Sequence, residues 1–311
     1  MNLKVTKTRI KTFFAYDFIK VIAAVGITVL LLWIIFNALA KKPTNGQDFF
    51  MMVADDVVIS DEARALPSYV KEGDAKYKFS YDVLNVNTLV INPSGYTSAY
   101  MMNTYCELGE DDVFICADTG EGSLYNQYTD LYWGEDIESY ANYALKFLND
   151  NGFIDESGEF TDKNAESYFL KTRKKDARFR KQSAREKGVL QEAERLKAVY
   201  DNVKNLLFAI ENHPELLYEE KEVKISDEYT VKGKFAINLG ALDGNPASNG
   251  KKSILDLFAR NVYDEEGNVT DVTADKVLLL IGRNEQEEGD LYYESLAFIN
   301  TLIYEYSTFL G

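Results

Sequence analysis

The feature that most constrains this chain is a run of twenty residues without a charged side chain, from Val21 to Ala40. An α-helix rises about 1.5 Å per residue, so the run would be about 30 Å long, which matches the hydrocarbon thickness of a bilayer. The basic residues before the run are Lys4, Lys7, Arg9, Lys11 and Lys20, and those in the twenty residues after it are Lys41 and Lys42. Because positive charge favours the cytoplasmic side, the N-terminus is predicted inside the cell and the remaining chain outside.

These observations divide the chain into a cytoplasmic basic leader (1–20), a transmembrane helix (21–40), a linker (41–47) and an extracytoplasmic domain (48–311). A cleaved signal peptide is the alternative, since Ala38-Leu39-Ala40 fits a small-x-small cleavage pattern. The apolar run is longer than the roughly 7–15 residues of a signal-peptide core, which favours retention as a signal anchor. The protein is therefore predicted in the cell membrane as a single-pass protein, and the large domain is exported under either interpretation.

The exported part is strongly acidic. The whole chain has 34 Lys and Arg against 50 Asp and Glu, a net charge of -16; residues 1–40 hold five basic and one acidic residue, so the remainder carries -20. Such a body repels nucleic acid, which excludes nucleic-acid partners. With Cys106 and Cys116 as the only cysteines, no disulfide framework holds the fold. One bridge in an oxidising compartment and two buried thiols both remain open.

The exported chain alternates predicted strands and helices, which indicates an α/β domain with a largely parallel sheet. The predicted strand-rich segments are 49–60, 76–85, 113–117, 222–239 and 277–281. The predicted helices are 97–108, 135–149, 163–212, 253–260 and 290–309. Segment 113–117 is a continuous apolar run, which is typical of a strand buried on both faces. Segment 76–85 alternates aromatic and polar residues, the period of a half-buried strand.

No residue pattern points to catalysis or to a bound metal. His213 is the only histidine and precedes Pro214 at a predicted helix end, where it interacts favourably with the helix dipole. The scarcity of His and Cys excludes zinc sites built on them, and no calcium-loop spacing occurs. Asp118-Thr119-Gly120 matches the triplet of aspartic proteases, but that chemistry needs two such carboxylates and only one triplet exists. We therefore predict a non-catalytic protein without a cofactor.

A basic run lies within the predicted helical segment 163–212. It contains Lys171, Arg173, Lys174, Lys175, Arg178, Arg180, Lys181, Arg185 and Lys187, interrupted by Asp176 and Glu186. The exported location and the acidic remainder argue against nucleic acid as its partner. A solvated helical face that docks on an acidic surface is the simplest interpretation. Binding to anionic lipid headgroups or wall polymers is the alternative.

Aromatic residues offer the best indication of a ligand site. The predicted ligand-binding residues are Asp118, Tyr125, Tyr128, Tyr132 and Trp133, which follow the strand 113–117. Rings beside amide side chains suit stacking on sugars or on peptide side chains. In α/β sheets, ligands bind beyond the carboxyl ends of the strands, where this segment is expected. Because the chain has 21 tyrosines, core or surface positions for these rings are the alternative.

Segment 110–118 resembles the strand that closes the first βαβ unit of extracellular solute-binding proteins. Segment 234–240 is similar to a later strand of that family, and 277–306 to the strand and helix after it. The similarity covers roughly half of the exported part, and none of its motifs is specific. It implies a periplasmic-binding-protein-like fold with two α/β lobes, a ligand cleft and use alongside an ABC importer. Those proteins are usually lipoproteins or soluble, so an anchored and shortened relative departs from the pattern.

The leading hypothesis is thus a membrane-anchored, extracytoplasmic, non-enzymatic ligand-binding protein, with an oligosaccharide or a peptide as the first ligand candidates. An ABC permease or another envelope protein is the implied partner. The second hypothesis is a structural or assembly subunit of a cell-envelope complex, with the acidic surface and the basic helix as docking faces. A carboxylate-based hydrolase comes third, since acidic residues are abundant.

Overall fold

The structure is a computed structural model that describes residues 7–12, 18–39, 47–92, 96–107, 111–120, 122–132, 136–173, 176–224, 230–243, 252–282 and 293–310. The chain divides into two compact units, Met1–Pro43 and Thr44–Gly311. The first unit contains α1 (Lys7–Thr12) and α2 (Phe18–Leu39). Within α2, the 18 residues Phe18–Ile35 have a mean hydropathy of 2.6 and none is buried. The structure thus contains the apolar N-terminal helix that the sequence predicts, with the length and composition shared by membrane anchors and signal sequences.

The second unit is a mixed α/β body. Its helices are α3 (Asp61–Glu72), α4 (Tyr96–Glu107), α5 (Leu124–Tyr132), α6 (Ile137–Asp150), α7 (Ala165–Thr172), α8 (Gln182–Asn212) and α9 (Glu294–Tyr306). Its strands are β1 (Asp48–Ala54), β2 (Val58–Ile59), β3 (Asn85–Ile91), β4 (Val113–Ala117), β5 (Lys221–Lys224), β6 (Thr230–Gly233), β7 (Ala236–Asn238), β8 (Phe258–Tyr263), β9 (Val269–Thr273) and β10 (Val277–Ile281). Residues 44–311 form one compact unit, and the two lobes that the resemblance implies stay a prediction.

Five strands form the central sheet in the order β3-β1-β4-β10-β7. β1 pairs in parallel with β3 and β4, whereas β10 is antiparallel to both β4 and β7. The sheet is therefore mixed, and the largely parallel sheet predicted from the sequence is wrong. The end of β7 and the start of β10 lie at the same edge, since Asn238 pairs with Leu278. The chain therefore re-enters the sheet at the edge where it left, which gives antiparallel pairing. Parallel pairing would require a crossover to the opposite edge.

Both faces of the sheet are covered, and successive side chains of its strands alternate between two cores. In β4, Val113, Ile115 and Ala117 belong to the larger core, together with side chains of α3, α6, α8 and α9. Phe114 and Cys116 belong to the smaller core, with side chains of α4 and α5. A strand buried on both faces has a continuous apolar sequence. The strands predicted at 113–117 and 277–281 are confirmed as β4 and β10.

The predicted helices 97–108 and 135–149 are confirmed as α4 and α6. The predicted helical segment 163–212 contains α7 and α8, with a 3-10 turn at Ala177–Phe179 between them. The helix predicted at 290–309 is observed as α9, although its first residues lie outside the described part of the chain.

Two predicted elements are wrong. Residues 76–84 form no strand, because the side chains that they bury, Phe79, Asp82 and Val83 among them, do not alternate. Segment 253–260 is not a helix: a 3-10 turn at Ile254–Asp256 leads into β8, which pairs with β2 and β9. The backbone partners available to β8 decide its conformation, a tertiary effect that local propensity does not contain.

Candidate functional site

The candidate site lies at the carboxyl ends of β1 and β4. The connection from β1 leads to β3 on one side of it, and the connection from β3 returns to β4 on the other side. Such a change of direction opens a crevice beyond the carboxyl ends of the strands, where α/β proteins bind ligands. Asp55 and Asp56 follow β1, and Asp118 follows β4.

Asp118 is held by a tight turn. Its carboxylate accepts hydrogen bonds from the Gly120 N–H at 2.9 Å and from the Tyr218 hydroxyl at 2.8 Å. Gly120 has a φ of 104°, a conformation that glycine adopts without strain. Partial burial raises the pKa of the Asp118 carboxyl, but the bonds from Gly120 and Tyr218 outweigh it and hold the pKa below its usual value. Asp118 is therefore an ionised acceptor at neutral pH.

Asp56 lies beside this turn. Its Oδ1 accepts a hydrogen bond from the N–H of Ala117, the residue before Asp118, at 3.3 Å. Burial raises the pKa of Asp56 to about 6, and the neighbouring charge of Asp55 contributes to the rise. The site thus combines one carboxylate that stays ionised with one that takes up a proton in mildly acidic solution.

Tyr125 packs against the same Tyr218 that binds Asp118. It lies in α5, in a helix rather than in the loop that the sequence suggests, and its side chain is only 3% exposed. The ring packs edge-on against Tyr218 with centroids 5.4 Å apart, and Lys221 Nζ lies 5.3 Å from its centroid. Within the described part of the chain, the buried hydroxyl of Tyr125 has no hydrogen-bond partner. Burial raises the pKa of this hydroxyl, so it remains a neutral donor.

A second buried polar atom at this edge lacks a partner. The side-chain oxygen of Asn238, the last residue of β7, accepts no hydrogen bond from any described residue. Asn238 pairs with Leu278, which pairs with Cys116, so all three side chains face the side of the sheet that α5 covers. Buried polar atoms are nearly always hydrogen-bonded in native proteins, through protein groups, water or ligands. Two such atoms on this face of the sheet are positions where water or a polar ligand can supply the missing hydrogen bond.

The other predicted ligand-binding residues have different positions. Tyr128 is 1% exposed, stacks on Phe114 with centroids 4.6 Å apart, and donates a hydrogen bond to the buried carboxylate of Asp111. This ring belongs to the core and joins α5 to the start of β4. The side chain of Tyr132 and the whole of Trp133 lie outside the described residues. Of the three predicted side chains that the structure describes, Asp118 and Tyr125 come together, since both contact Tyr218.

Sequence reasoning missed Tyr218 and Asn238. Tyr218 follows Asp118 by 100 residues, and no local pattern links the two segments. Asn238 ends a three-residue strand whose partners are β10 alone and an isolated bridge, too short for a recognisable pattern. One signal in the sequence could have indicated the location of the site. The Asp55-Asp56 pair directly follows an apolar strand, and acidic residues at strand ends often line α/β sites.

The remaining candidate residues have structural contacts. His213 ends α8, stacks on Phe309 with centroids 3.9 Å apart, and lies 3.4 Å from Glu215. Cys106 and Cys116 are both free thiols, so the bridge that the sequence left open is not formed. Among the described residues, no three His, Cys, Asp or Glu side chains are grouped as metal ligands.

Fold and site together define a mixed α/β protein with a group of polar side chains at the carboxyl edge of its sheet and a candidate membrane helix near its N-terminus. No protein-family model, curated protein or solved structure matches the chain.

Proposed function

We propose that the protein is a membrane-anchored, extracytoplasmic binding protein that takes up a polar ligand beside Asp118. The observation that carries the proposal is the hydroxyl of Tyr125, which is buried without a hydrogen-bond partner in the described part of the chain. Leaving such a group unpaired costs about 1–3 kcal/mol. A ligand that pairs with it recovers this free energy, and binding sites commonly contain polar groups of this kind.

The chemistry of the site favours a ligand rich in hydroxyl or amide groups. Asp118 and the side-chain oxygen of Asn238 accept hydrogen bonds, while the neutral hydroxyl of Tyr125 donates one. A sugar supplies donors and acceptors on adjacent carbons, and its apolar ring face packs on aromatic rings such as the half-buried Tyr218. An oligosaccharide is therefore the first candidate, and a peptide backbone, with the same two kinds of group, is the second.

Binding fits these residues better than catalysis does. The raised pKa of Tyr125 keeps its hydroxyl protonated, so it is neither a base nor an activated nucleophile. The lowered pKa of Asp118 makes it a poor general acid at neutral pH. The protein is accordingly assigned a non-catalytic role like that of the solute-binding proteins that its sequence resembles, with two lobes around the ligand and an ABC permease as the receiving partner.

The membrane part of the proposal rests on α2 and its flanks. The 22 residues of α2 carry one charge, Lys20, near the N-terminal end. The basic residues before α2 favour a cytoplasmic N-terminus, which places the acidic body outside. A body anchored in this way delivers its ligand at the membrane surface.

The test uses the full-length chain in lipid nanodiscs. Its melting temperature is measured against panels of neutral oligosaccharides and of short peptides, and hits are titrated calorimetrically. Tyr125→Phe removes a neutral hydrogen bond to the ligand and is expected to weaken binding about 3- to 10-fold. Asp118→Asn removes a charged one and is expected to weaken binding about tenfold or more. Tyr125→Phe is also expected to leave the unliganded melting temperature unchanged or higher, because it removes an unpaired buried hydroxyl.

Tyr143→Phe is the matched control. Tyr143 lies on α6 and is 56% exposed, so this variant removes a hydroxyl from the surface. It should leave both affinity and melting temperature unchanged. If neither panel stabilises the protein, or if Tyr125→Phe lowers the unliganded stability while affinity is retained, the proposed site is wrong.

A further inference from the structure

The basic run of the sequence divides into an internal part and an external part. Arg173 and Arg178 belong to the internal part, because both donate hydrogen bonds to Asp82 at 2.5 Å. Arg178 also pairs with Asp176 at 2.7 Å. These bonds hold the end of α7 and the 3-10 turn Ala177–Phe179 against the body. The segment that carries the external charges is therefore rigidly placed.

The external part consists of five exposed cations, Lys171, Arg180, Lys181, Arg185 and Lys187. Within the described part of the chain, none of the five has a carboxylate within ion-pair distance, whereas the exposed Lys197, further along α8, pairs with Asp201 at 2.6 Å. The exported part carries a net charge of -20, so five exposed cations without a carboxylate partner within a stretch of seventeen residues depart from the rest of its surface. Such a stretch attracts an acidic partner.

An apolar cavity of about 230 Å³ is lined by one of these cations, Arg185, while Lys171 and Arg180 directly follow two other lining residues in the chain. It is lined by Phe169, Leu170, Arg173, Phe179 and Arg185. Phe169 and Phe179 pack edge-to-face with centroids 4.8 Å apart, and Gly188 of α8 lets both rings approach the helix backbone. Leu170 is 38% exposed at the rim. The cavity is thus a preformed apolar hole that two arginine side chains, Arg173 and Arg185, also line.

We propose that this basic surface, meaning the five exposed cations and the cavity, docks an acidic segment of another protein. One large apolar side chain of that segment occupies the cavity that Phe169 and Phe179 line, and its flanking carboxylates pair with the exposed cations. Interfaces commonly concentrate their affinity in one buried aromatic or aliphatic anchor surrounded by charged contacts. The arrangement of hole and charges matches that pattern.

The size and shape of the surface favour a peptide segment over other anions. Small-molecule sites usually enclose about 300–1,000 Å³, so the cavity is suited to a single side chain rather than to a free ligand. A bilayer presents a flat array of headgroups, which does not fill a concave apolar hole. A flat anionic surface would also approach the strongly acidic remainder of the body, which opposes contact.

The experiment measures fluorescence anisotropy of labelled nonapeptides with the full-length chain in neutral-lipid nanodiscs. One peptide contains Glu and Ser around a central Phe, the second has Ala in place of the Phe, and the third has Lys in place of each Glu. The Phe peptide is expected to bind at least about tenfold more tightly than the Ala peptide, the effect of burying one aromatic side chain. The Lys peptide should not bind. Combined Arg180→Glu, Lys181→Glu and Arg185→Glu should abolish binding.

The matched control reverses three exposed lysines elsewhere on the body, Lys78→Glu, Lys163→Glu and Lys204→Glu, and should retain binding. A further variant, Leu170→Trp, fills the rim of the cavity and should remove the advantage of the Phe peptide over the Ala peptide. Melting curves confirm that each variant is folded. Equal binding of the Phe and Ala peptides, equal loss in both triple variants, or no binding of the Phe peptide overturns the proposal. So does preferential binding to phosphatidylglycerol vesicles, or self-association of the chain that the basic triple variant abolishes.

Discussion

The guanidinium of Arg173 donates a hydrogen bond to the carboxylate of Asp82 at 2.5 Å, although the two residues are 91 positions apart in the chain. Arg178 binds the other carboxylate oxygen at 2.5 Å, and Gln47 donates to that same oxygen at 3.2 Å. The Asp82 side chain is 3% exposed. One buried carboxylate therefore joins the residue before β1, the irregular segment 76–84 and the end of α7.

Asp82→Asn is expected to destabilise the protein strongly. It keeps the shape of the side chain but removes the buried carboxylate that accepts hydrogen bonds from Arg173, Arg178 and Gln47. Breaking a buried ion pair from one side costs about 3–5 kcal/mol. Urea unfolding of the full-length chain, followed by tryptophan fluorescence, measures the change in the free energy of unfolding.

Asp201→Asn is the control for the loss of an ion pair as such. Asp201 and Lys197 pair at 2.6 Å, but both side chains are about half exposed. Exposed pairs contribute at most about 1 kcal/mol, so this variant should unfold nearly like the wild type. If Asp82→Asn and Asp201→Asn lowered the free energy of unfolding by similar amounts, Asp82 would not be a buried ion-pair partner.

The same ion cluster shows where sequence reasoning stops. The alternation of Tyr77, Phe79, Tyr81 and Val83 predicts a strand, because the polar residues between them should face solvent. In the structure Asp82 faces inward, since arginines from a distant segment neutralise it, and the hydroxyl of Tyr81 donates to the buried Glu192 of α8. The pattern thus contained the correct residue types, but their partners lie about 100 positions away. No window of the sequence includes both sides of such a contact.

The candidate site could likewise be predicted only in part from the sequence. Asp118 and Tyr125 could be selected from the sequence because they follow a recognisable buried strand within eight residues. Tyr218 donates a hydrogen bond to Asp118 and packs on Tyr125. It comes from the segment after α8, and its backbone N–H donates to the carbonyl of Ala236. Elements with continuous apolar runs, β4 and β10, were predictable because burial on both faces leaves a local signature. The hairpin of β8 and β9 was not, since several of its side chains are exposed and polar.

Gly188→Ala is expected to destabilise the protein, although alanine usually stabilises a helix relative to glycine by about 1 kcal/mol. A Cβ atom at position 188 would lie 2.5 Å from the Phe169 ring and 2.7 Å from the Phe179 ring. Those rings pack against each other with centroids 4.8 Å apart, so at least one of them must shift to admit the added methyl group, and this overpacking should cost about 1–3 kcal/mol. Thermal unfolding measures the net change. Gly26→Ala in α2, where nothing lies within 4 Å, is the matched control and should not lower the melting temperature.

Cysteine labelling tests the predicted orientation. Glu156→Cys introduces an exposed thiol in the body, and Thr8→Cys introduces one in α1. With the body outside, a membrane-impermeant maleimide should label Glu156→Cys in intact cells but Thr8→Cys only after lysis. The wild type gives the background of Cys106 and Cys116, which are half-buried and buried.

The Thr8→Cys variant also separates an anchor from a cleaved signal sequence. If the chain is cut after Ala40, the mature protein lacks the introduced thiol and lysis produces no added labelling. Labelling after lysis at full molecular mass supports retention. Labelling of Thr8→Cys in intact cells, or of neither variant before lysis, would contradict the orientation.

Asp111 accepts the hydroxyl hydrogen bond of Tyr128, and its side chain is almost completely buried. Burial raises the pKa of Asp111 from 3.8 to about 6, and the bond from Tyr128 offsets only part of that rise. Between these two values the folded protein holds a proton that the unfolded chain has already released. The contribution of Asp111 to the free energy of unfolding is therefore complete below about pH 4 and is lost as the pH rises through about 6.

Asp111→Asn removes this titration while keeping an oxygen that accepts from Tyr128. The stability of the variant relative to the wild type should therefore rise by up to about 3 kcal/mol between about pH 4 and pH 7.5, measured by urea unfolding at each pH. Asp264→Asn is the control of opposite sign: the Asn268 N–H lowers the pKa of that exposed carboxyl, so this variant should lose relative stability as the pH rises. A pH-independent difference between Asp111→Asn and the wild type would show that Asp111 is not desolvated in the folded protein. Because the hydrogen bond from Tyr128 lowers the pKa of Asp111, Tyr128→Phe should raise that pKa and extend the loss of stability to higher pH.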